Sequence, residues 1–204
     1  MSGDPSFPPV QIDVGGLVQR SVATLYSHLV TRPTGRAVRQ AIESLLAEAG
    51  DKAFSVIDFS EVTVLDYSCA DEVVAKLLAR YLEADRPRDA YFVIRGVREL
   101  HREPIEVVLK RQRLAAVAQG EDGCYRLIGN RSEEQEAAWR VVEARGRIAA
   151  HELHDALPET SQRSALTELV RRRLVFADAI SGAVYALSRL AGADEPGASP
   201  ARAV

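Results

Sequence analysis

The side chains best suited to metal binding or nucleophilic catalysis are few and scattered in this sequence. His151 and His154 lie three residues apart in the segment HELHDAL. A zinc-protease helix needs the pattern H-E-x-x-H, in which the wider spacing lets both histidines face one ion. Cys69 and Cys124 lie in unrelated segments, and no nucleophile has a recognisable base. Glycine-rich phosphate-binding motifs and the G-x-S-x-G motif of hydrolases are also missing. The sequence therefore predicts no metal, no cofactor and no enzymatic activity.

Ser68 stands where an apolar run meets a predicted helix, and this position supports two interpretations. Ser68 and Asp71 have the spacing of a helix-capping motif, in which the serine contributes about 1 kcal/mol. A phosphate on Ser68 would gain about 0.3–1 kcal/mol from the helix dipole. Asp71 and Glu72 would repel that phosphate by a similar amount, so the sequence favours the cap. Cys69 is expected to be a small buried side chain and not a reactive thiol.

A second set of polar side chains lies on a helix predicted in the segment TSQRSALTELVRRR. The spacing of Leu166, Leu169 and Val170 turns them inward, so the opposite face is a candidate for DNA contact. The helix start and this face carry Thr160, Gln162, Arg163, Ser164, Thr167 and Arg171. Residues 131–190 contain nine arginines, no lysine and nine acidic residues, whereas DNA-binding domains usually have a basic surplus. DNA and protein therefore stand as alternative partners of this segment.

Strands and helices alternate along residues 10–130, which predicts an α/β domain with a partly parallel sheet. The strands are expected at residues 10–14, 54–59, 90–94 and 124–128, and the helices at residues 36–50, 69–84 and from Pro104 onward. Residues 17–29 combine helical spacing with many β-branched side chains, and a helix that ends before Pro33 is favoured there. Residues 1–9 are assigned to an N-terminal extension.

The pattern changes after residue 130. A helix is expected between Ser132, which precedes a run of acids, and Gly146. A short strand at residues 147–150, a short helix in HELHDAL and the helix of TSQRSALTELVRRR follow. A hairpin around residues 180–182 ends the pattern. Three helices and a hairpin are the order of a winged helix-turn-helix domain, assigned here to residues 131–190. Residues 191–204, rich in Ala, Gly and Pro, are expected to form a flexible tail.

The segment VIDFSEVTVLDYSCADEVVAKLL resembles the STAS family, the domain of bacterial anti-sigma-factor antagonists and sulfate-transporter tails. The resemblance covers residues 10–130 and is most specific over residues 55–80. It implies a small sheet packed by helices that binds a partner instead of catalysing a reaction. In regulatory members a kinase-type anti-sigma factor phosphorylates a serine. By position, the resemblance places Asp66 on the motif aspartate, Tyr67 on the next residue and Ser68 on the phosphoacceptor.

The composition excludes several other classes of protein. Of the 204 residues, 47% are hydrophobic and 27% are charged, which argues against wholesale disorder. No apolar run approaches the roughly 18 residues that span a bilayer, and the start MSGDPSFPPV does not resemble a secretory signal. Two cysteines are too few for a disulfide framework, so the cytoplasm is the expected compartment. The net charge of −3 does not indicate a general polyanion binder.

These observations predict a cytoplasmic, non-enzymatic bacterial regulatory adaptor. Its STAS-like domain would bind a protein partner, such as a kinase-type ATPase or an anti-sigma factor, and its winged helix would be a second interaction surface. The alternative is a DNA-binding transcription regulator whose STAS-like domain senses a partner or ligand. Neither alternative involves a membrane.

Overall fold

The computed structural model of this chain describes residues 10–13, 28–48 and 52–192, and its mixed α/β content confirms the class expected from the sequence. In the first half the elements are β1 (Val10–Asp13), β2 (His28–Leu29), α1 (Arg32–Glu48), β3 (Lys52–Asp58), β4 (Val64–Leu65), α2 (residues 67–82), β5 (Asp89–Val97), α3 (Glu99–Arg111), β6 (Ala115–Gly120) and β7 (Tyr125–Gly129). They are followed by α4 (Glu133–Arg145), β8 (Arg147–Ile148), a 3-10 turn (Ala150–Glu152), α5 (Leu153–Ala156), α6 (Thr160–Arg171), β9 (Phe176–Ala177), β10 (Val184–Tyr185) and α7 (Leu187–Ala191).

The main sheet has five strands in the order β1-β3-β5-β6-β7. The first four are parallel neighbours that follow chain order, and β7 returns antiparallel along the edge of β6. Crossovers between parallel strands are right-handed, so a sheet wound steadily in one direction carries its crossover helices on one face. In agreement, side chains of α1, α2 and α3 share one core with that face of the sheet.

Side chains alternate between the two faces of each strand, and both faces of this sheet are apolar. On β3, Ile57 packs under the crossover helices, whereas Phe54 and Val56 point to the opposite side. Tyr91 and Val93 of β5 also point to that second side. Because the crossover helices lie on the first face, the second face must be covered by another part of the chain.

The segment after residue 130 provides that cover. Trp139 of α4, Leu166 of α6 and Phe176 of β9 share a core with the second face of the sheet. The Phe176 ring packs edge-on to Tyr91, with 5.3 Å between ring centroids. Arg173, just after α6, donates from Nη2 to the Asp89 carboxylate of β5 over 2.6 Å. Residue 130 thus lies between the five-stranded sheet and the elements that cover its second face, and the two parts share one core.

A small antiparallel sheet accompanies the C-terminal helices. Its strand order is β8-β10-β9, so the strand after α4 pairs with the second strand of the hairpin. Ser132 caps α4 in a capping box with Gln135, and Gly146 ends the helix with φ of 66°, as the sequence indicated. The hairpin around residues 180–182 is also present, with only two residues in each strand.

Several predicted boundaries are wrong. Residues 28–29 form strand β2, which pairs in parallel with β4; the rest of the segment predicted as a helix ending before Pro33 lies outside the described residues. Pro33 lies in the first turn of α1, where a missing N–H costs little. Similarly, α3 begins at Glu99 and contains Pro104 in its interior.

Strand β6 was not predicted, because its sequence AAVAQG offers few of the β-branched residues that mark strands. Helix α7 was not predicted either, and it extends to Ala191. The predicted N-terminal extension and the tail from residue 193 onward lie outside the described residues. Each helix within the described part of the chain is too short or too polar to span a lipid bilayer.

Candidate binding surface around Tyr67

Asp66 holds the segment that joins β4 to the first turn of α2, which we call the Asp66–Ser68 loop. The Asp66 carboxylate accepts from the Cys69 backbone N–H over 2.8 Å and from Ser68 Oγ over 2.9 Å. Its own backbone N–H donates to the carbonyl of Leu29 in β2. Asp66 is therefore the residue that caps α2, and the prediction that Ser68 caps this helix is wrong. Asp66 lies two residues before Ser68, and its charged carboxylate makes a stronger hydrogen bond to a backbone N–H than a hydroxyl does.

Tyr67 projects from this loop toward helix α3. It is 46% exposed, and its hydroxyl donates to the Glu103 carboxylate over 2.9 Å. This hydrogen bond is the main reason that the pKa of Tyr67 lies above its ordinary value. Ser68, the next residue, is half-buried. The three residues singled out in the sequence are thus contiguous, and Tyr67 is the most accessible of them.

Exposed hydrophobic side chains also lie on the two elements that neighbour this tyrosine, β4 and α3. Leu100, 76% exposed, and Val107 are seven residues apart on α3, so they lie on one face of that helix with Glu103 between them. Val64 is exposed on β4, three residues before Tyr67. We call Val64, Tyr67, Leu100 and Val107 the Tyr67 surface. They are four of the seven large hydrophobic side chains that are exposed in the described part of the chain.

Two buried carboxylates follow this loop in α2. Asp71 and Glu72 belong to a π-helical turn, Asp71–Lys76, that interrupts α2. Arg32 of α1 bonds to both carboxylates, over 2.9 and 3.0 Å. Arg39 and Lys76 also bond to Glu72. Asp71 accepts from Arg111 over 2.9 Å and from Gln112 over 2.6 Å. This buried acid cluster, Asp71 and Glu72 with their cations, therefore ties α2 to α1 and to the end of α3.

The cations decide the ionisation of the buried acid cluster. Burial alone would raise the pKa of Asp71, but hydrogen bonds from Arg32, Arg111 and Gln112 outweigh it and the pKa is lowered. Burial is likewise outweighed at Glu72, mainly by Lys76 and Arg32, and its pKa is lowered too. Both carboxylates are thus ionised at neutral pH, each with several cationic partners.

The acid cluster was missed in the sequence, where Asp71 and Glu72 were considered only as acids in the same turn that would repel a phosphate. Their charge is offset within the protein, so this objection to phosphorylation of the loop loses its basis. The available signal was a pair of acids inside an otherwise apolar helix pattern. Their cations, at positions 32, 39 and 111, are too remote in sequence for spacing to pair them.

Helix packing beside the loop explains Gly35 and Cys69. A Cβ placed on Gly35 would stand 2.9 Å from the Cys69 Cα, so α1 and α2 approach closely only because residue 35 is glycine. The Cys69 thiol is buried and bonds to the Thr31 carbonyl over 2.9 Å. Burial, with a smaller effect of the Asp66 carboxylate, raises its pKa to about 12. Cys69 is thus the small buried side chain expected from the sequence.

The candidate DNA contacts of α6 are only partly accessible. Thr160, Ser164, Thr167 and Arg171 lie on the exposed face, and Gln162 and Arg163 are half-buried. Arg163 donates to the Leu157 carbonyl over 2.8 Å and to Thr160, which holds the turn before the helix. Gln162 accepts from the backbone N–H of the N-cap residue Glu159. Arg171 pairs with Glu168. The predicted exposed face exists, but its arginines are engaged within the protein.

The arginines that follow α6 are also engaged within the protein. Arg172 donates to Gln135 and to the carbonyl of Asn130. Arg173 bonds to Asp89 and lies over the Tyr91 ring. At the hairpin tip, Asp178 accepts from the backbone of the turn, and Ile180 is 97% exposed.

The two histidines that were weighed for metal binding lie in adjoining short helical segments. His151 and His154 are exposed near α5. In the described ranges, no group of three or more His, Cys, Asp or Glu side chains is placed to hold a metal ion.

Comparison of the chain with protein families, with curated proteins and with solved structures finds no match.

Proposed function

We propose that this chain is a cytoplasmic, non-enzymatic bacterial regulatory adaptor that binds a protein partner through the Tyr67 surface. The first domain would be a STAS-like module, and the partner a kinase-type ATPase or an anti-sigma factor. The observation that carries the proposal is the group of exposed hydrophobic side chains beside the Asp66–Ser68 loop. Contiguous exposed apolar side chains on a monomeric surface commonly mark sites of protein interaction.

The same loop suggests how binding would be regulated. The Ser68 hydroxyl bonds to the Asp66 carboxylate, so a phosphate on Ser68 would replace an attractive contact by repulsion between like charges. The repulsion would loosen the cap of α2 and shift Tyr67, which lies between these two residues in the chain. Phosphorylation of Ser68 is therefore expected to weaken partner binding instead of creating a new contact.

Site-specific photo-crosslinking in the native host tests the proposal. A photoreactive residue replaces Tyr67 in one strain and Asp85, which is highly exposed in the turn after α2, in a matched control strain. We expect an adduct with an ATPase-type kinase or an anti-sigma factor from position 67 only. The adduct should be lost when Leu100→Ser is added. Equal adducts from both positions, or none from position 67, would contradict the proposal.

DNA binding by the C-terminal segment is the second candidate function. It is supported by the order of three helices and a hairpin, which is typical of a winged helix, and by the exposed face of α6. In such a domain α6 would enter the major groove. The internal bonds of Arg163, Arg171, Arg172 and Arg173 are the reason for ranking it second, because phosphate contacts supply most of the affinity for DNA.

An electrophoretic shift assay at low salt separates the two candidates. The adaptor proposal expects no retardation of duplex DNA. Retardation that is lost in Arg171→Ala and retained in Ser68→Ala would instead establish the DNA-binding regulator. Arg171 is the suitable position because Arg163 also supports the fold.

A further inference from the structure

Two hydrogen bonds place the Tyr67 surface beside the buried acid cluster. Tyr67 and Asp71 lie one turn apart on α2, and they bond to Glu103 and Arg111 of α3. Val107 lies midway between these two α3 residues, four positions from each, so all three occupy the same side of α3. Arg111 is 62% exposed. The exposed apolar side chain of Val107 therefore neighbours a cation of the acid cluster.

The acid cluster presents its cations to solvent and keeps its carboxylates buried. The side chains of Asp71 and Glu72 are 5% and 0% exposed, whereas Arg32, which bonds to both, is 45% exposed. Lys76, which also pairs with both, is 41% exposed. One turn after Arg32 on α1, Arg36 is exposed too, and it pairs with no carboxylate in the described part of the chain. We call these exposed cations the basic end of the Tyr67 surface: Arg32, Arg36, Lys76 and Arg111.

The basic end keeps a positive surplus even when every nearby carboxylate is counted as fully ionised. Its four cations and Arg39 are five positive charges, and the carboxylates paired with them are three: Asp71, Glu72 and Glu43. Two positive charges are therefore left over. Asp66, at the start of α2, lowers this surplus to one if it is included.

The remaining charges of α3 do not remove this surplus. Two cations and two acids pair among themselves and add no net charge: Arg102, Lys110, Glu99 and Glu106. Glu103 lies eight residues before Arg111, which is about 12 Å along a helix axis. Exposed charges at that separation are largely screened at physiological ionic strength, where the Debye length is about 8 Å. The surface is therefore apolar around Tyr67 and positive at one end.

These properties match an amphipathic helix that carries acidic side chains. Leu100 and Val107 are seven residues apart on one face of α3, and a helix laid alongside α3 presents its own apolar side chains at the same interval. Carboxylates of such a helix would meet the basic end. The bonds to the buried carboxylates already restrict Arg32 and Arg111, so less side-chain ordering is required when the helix binds.

Two other occupants fit this surface less well. A surplus of one or two charges is small for duplex DNA, whose protein ligands commonly make about 6–10 phosphate contacts, and the apolar part of the surface would stay exposed. A second copy of this chain would have to offer acids to the basic end. The acids of its own Tyr67 surface are already engaged, since Glu103 bonds to Tyr67 and Glu99 pairs with Arg102.

We propose that the Tyr67 surface and its basic end bind an amphipathic helix of the partner protein. Aliphatic side chains of that helix would pack on Leu100, Tyr67 and Val107, and its acidic side chains would bond to Arg36 and to the exposed cations beside it. The inference rests on the proposed function, because it specifies the partner segment that docks at the same surface.

Photo-crosslinking from position 107 identifies the segment. A photoreactive residue replaces Val107, 44% exposed, in the native host, and mass spectrometry of the adduct locates the cross-linked stretch of the partner. We expect the same partner as from position 67. The stretch should show apolar residues at helical spacing, with acidic residues within about two turns of the cross-linked residue.

The cross-linked stretch, made as a fluorescein-labelled peptide, is the probe for binding to the purified full-length protein. Fluorescence anisotropy should show that Arg36→Glu weakens binding about fivefold or more, and that replacing the acids of the peptide by their amides weakens it about tenfold or more. Arg145→Glu, in the exposed last turn of α4 on the other face of the sheet, is the matched control and should leave binding unchanged. Circular dichroism of both variants should match that of the wild type.

The possible failures are distinguishable. The inference is overturned, and the proposed function stands, if position 67 gives its adduct but the stretch found from position 107 carries no acids or belongs to another protein. The same holds if Arg36→Glu binds the peptide as the wild type does. An adduct of the chain with itself, or one that a nuclease removes, also overturns the inference. Absence of any adduct from position 67 overturns the proposed function and this inference together.

Discussion

Asp66 caps helix α2, and Ser68, the residue that the sequence favoured as the cap, bonds to the Asp66 carboxylate. Asp66 accepts from the Cys69 N–H and orients the chain, and Ser68 donates to the same carboxylate. The cap is therefore independent of the serine hydroxyl. This separation leaves Ser68 with little structural role, so a change in its chemistry would affect the loop more than the stability of the fold.

Replacing each of the two residues by alanine tests this division. Asp66→Ala is expected to lower the free energy of unfolding by about 1 kcal/mol or more, because it removes the cap. Ser68→Ala should lower it by about 0.5 kcal/mol, since only one hydrogen bond to a half-buried group is lost. Urea denaturation monitored by circular dichroism measures both. An equal or larger loss in Ser68→Ala would show that the serine is the cap after all.

At the scale of the elements, the buried acid cluster joins the three crossover helices. Asp71 and Glu72 lie in the π-helical turn, a form that is rare and often found at functional sites. Their cations come from α1, from α2 itself and from the end of α3. Since α2 and α3 both contribute to the Tyr67 surface, the cluster fixes the position of α2 relative to α3 at that surface.

Glu72→Gln tests the cluster. The variant removes the charge that pairs with Arg32, Arg39 and Lys76 and leaves these cations without their carboxylate partner. Breaking a fully buried pair costs about 3–5 kcal/mol. Because these cations are partly exposed, we expect the free energy of unfolding to fall by about 2 kcal/mol at neutral pH. Glu43→Gln, which breaks the more exposed pair with Arg39, is the matched control and should change stability by less than about 0.5 kcal/mol. Urea denaturation of both variants gives the comparison, and similar losses would refute the role of the cluster.

The same variant should change the response to acid. The pKa of Glu72 in the folded protein is lowered, so its carboxylate stabilises the fold above the unfolded pKa of about 4.3. That contribution is lost as the pH falls through the folded pKa. Wild-type protein should therefore lose stability below about pH 4 more steeply than Glu72→Gln. If the free energy of unfolding falls equally steeply below about pH 4 in both proteins, the pKa of Glu72 is not lowered in the fold.

At the scale of the whole molecule, winding the sheet in one direction leaves one of its faces to be covered from elsewhere. Phe54, Val56, Tyr91 and Val93 lie on that face, and α4, α6 and β9 cover them. The C-terminal segment therefore completes the core of the main sheet, whatever partner it also contacts.

Truncation after residue 130 tests the dependence. The fragment is expected to be insoluble, or to bind a hydrophobic dye and lack a cooperative unfolding transition, because it exposes the second face of the sheet. Co-expression with residues 131–204 should restore a soluble complex. If the fragment alone gives a sharp thermal transition like that of the full chain, its fold does not depend on the C-terminal segment.

Local sequence predicted the elements whose signals lie within one turn or one strand. The capping box at Ser132, the left-handed Gly146 and the buried strand around Val56 are of this kind. The boundaries at Pro33 and Pro104 were wrong because proline was taken as a marker of an end or a start, whereas both lie within helices. At the candidate site, Tyr67 and Ser68 were identified, but Leu100 and Val107 were not, since their relation to Tyr67 depends on how α3 packs.

The sequence by itself determined the α/β class and the alternation of strands and helices, because apolar periodicity and capping are properties of neighbouring residues. Only the tertiary structure decided that Asp71 and Glu72 are buried among cations, that the elements carrying exposed hydrophobic side chains lie beside Tyr67, and that β7 pairs with β6 alone among the described strands. Each of these depends on contacts between residues far apart in the chain. Such contacts form when the helices and the C-terminal segment close over the two faces of the sheet, and no local pattern encodes them.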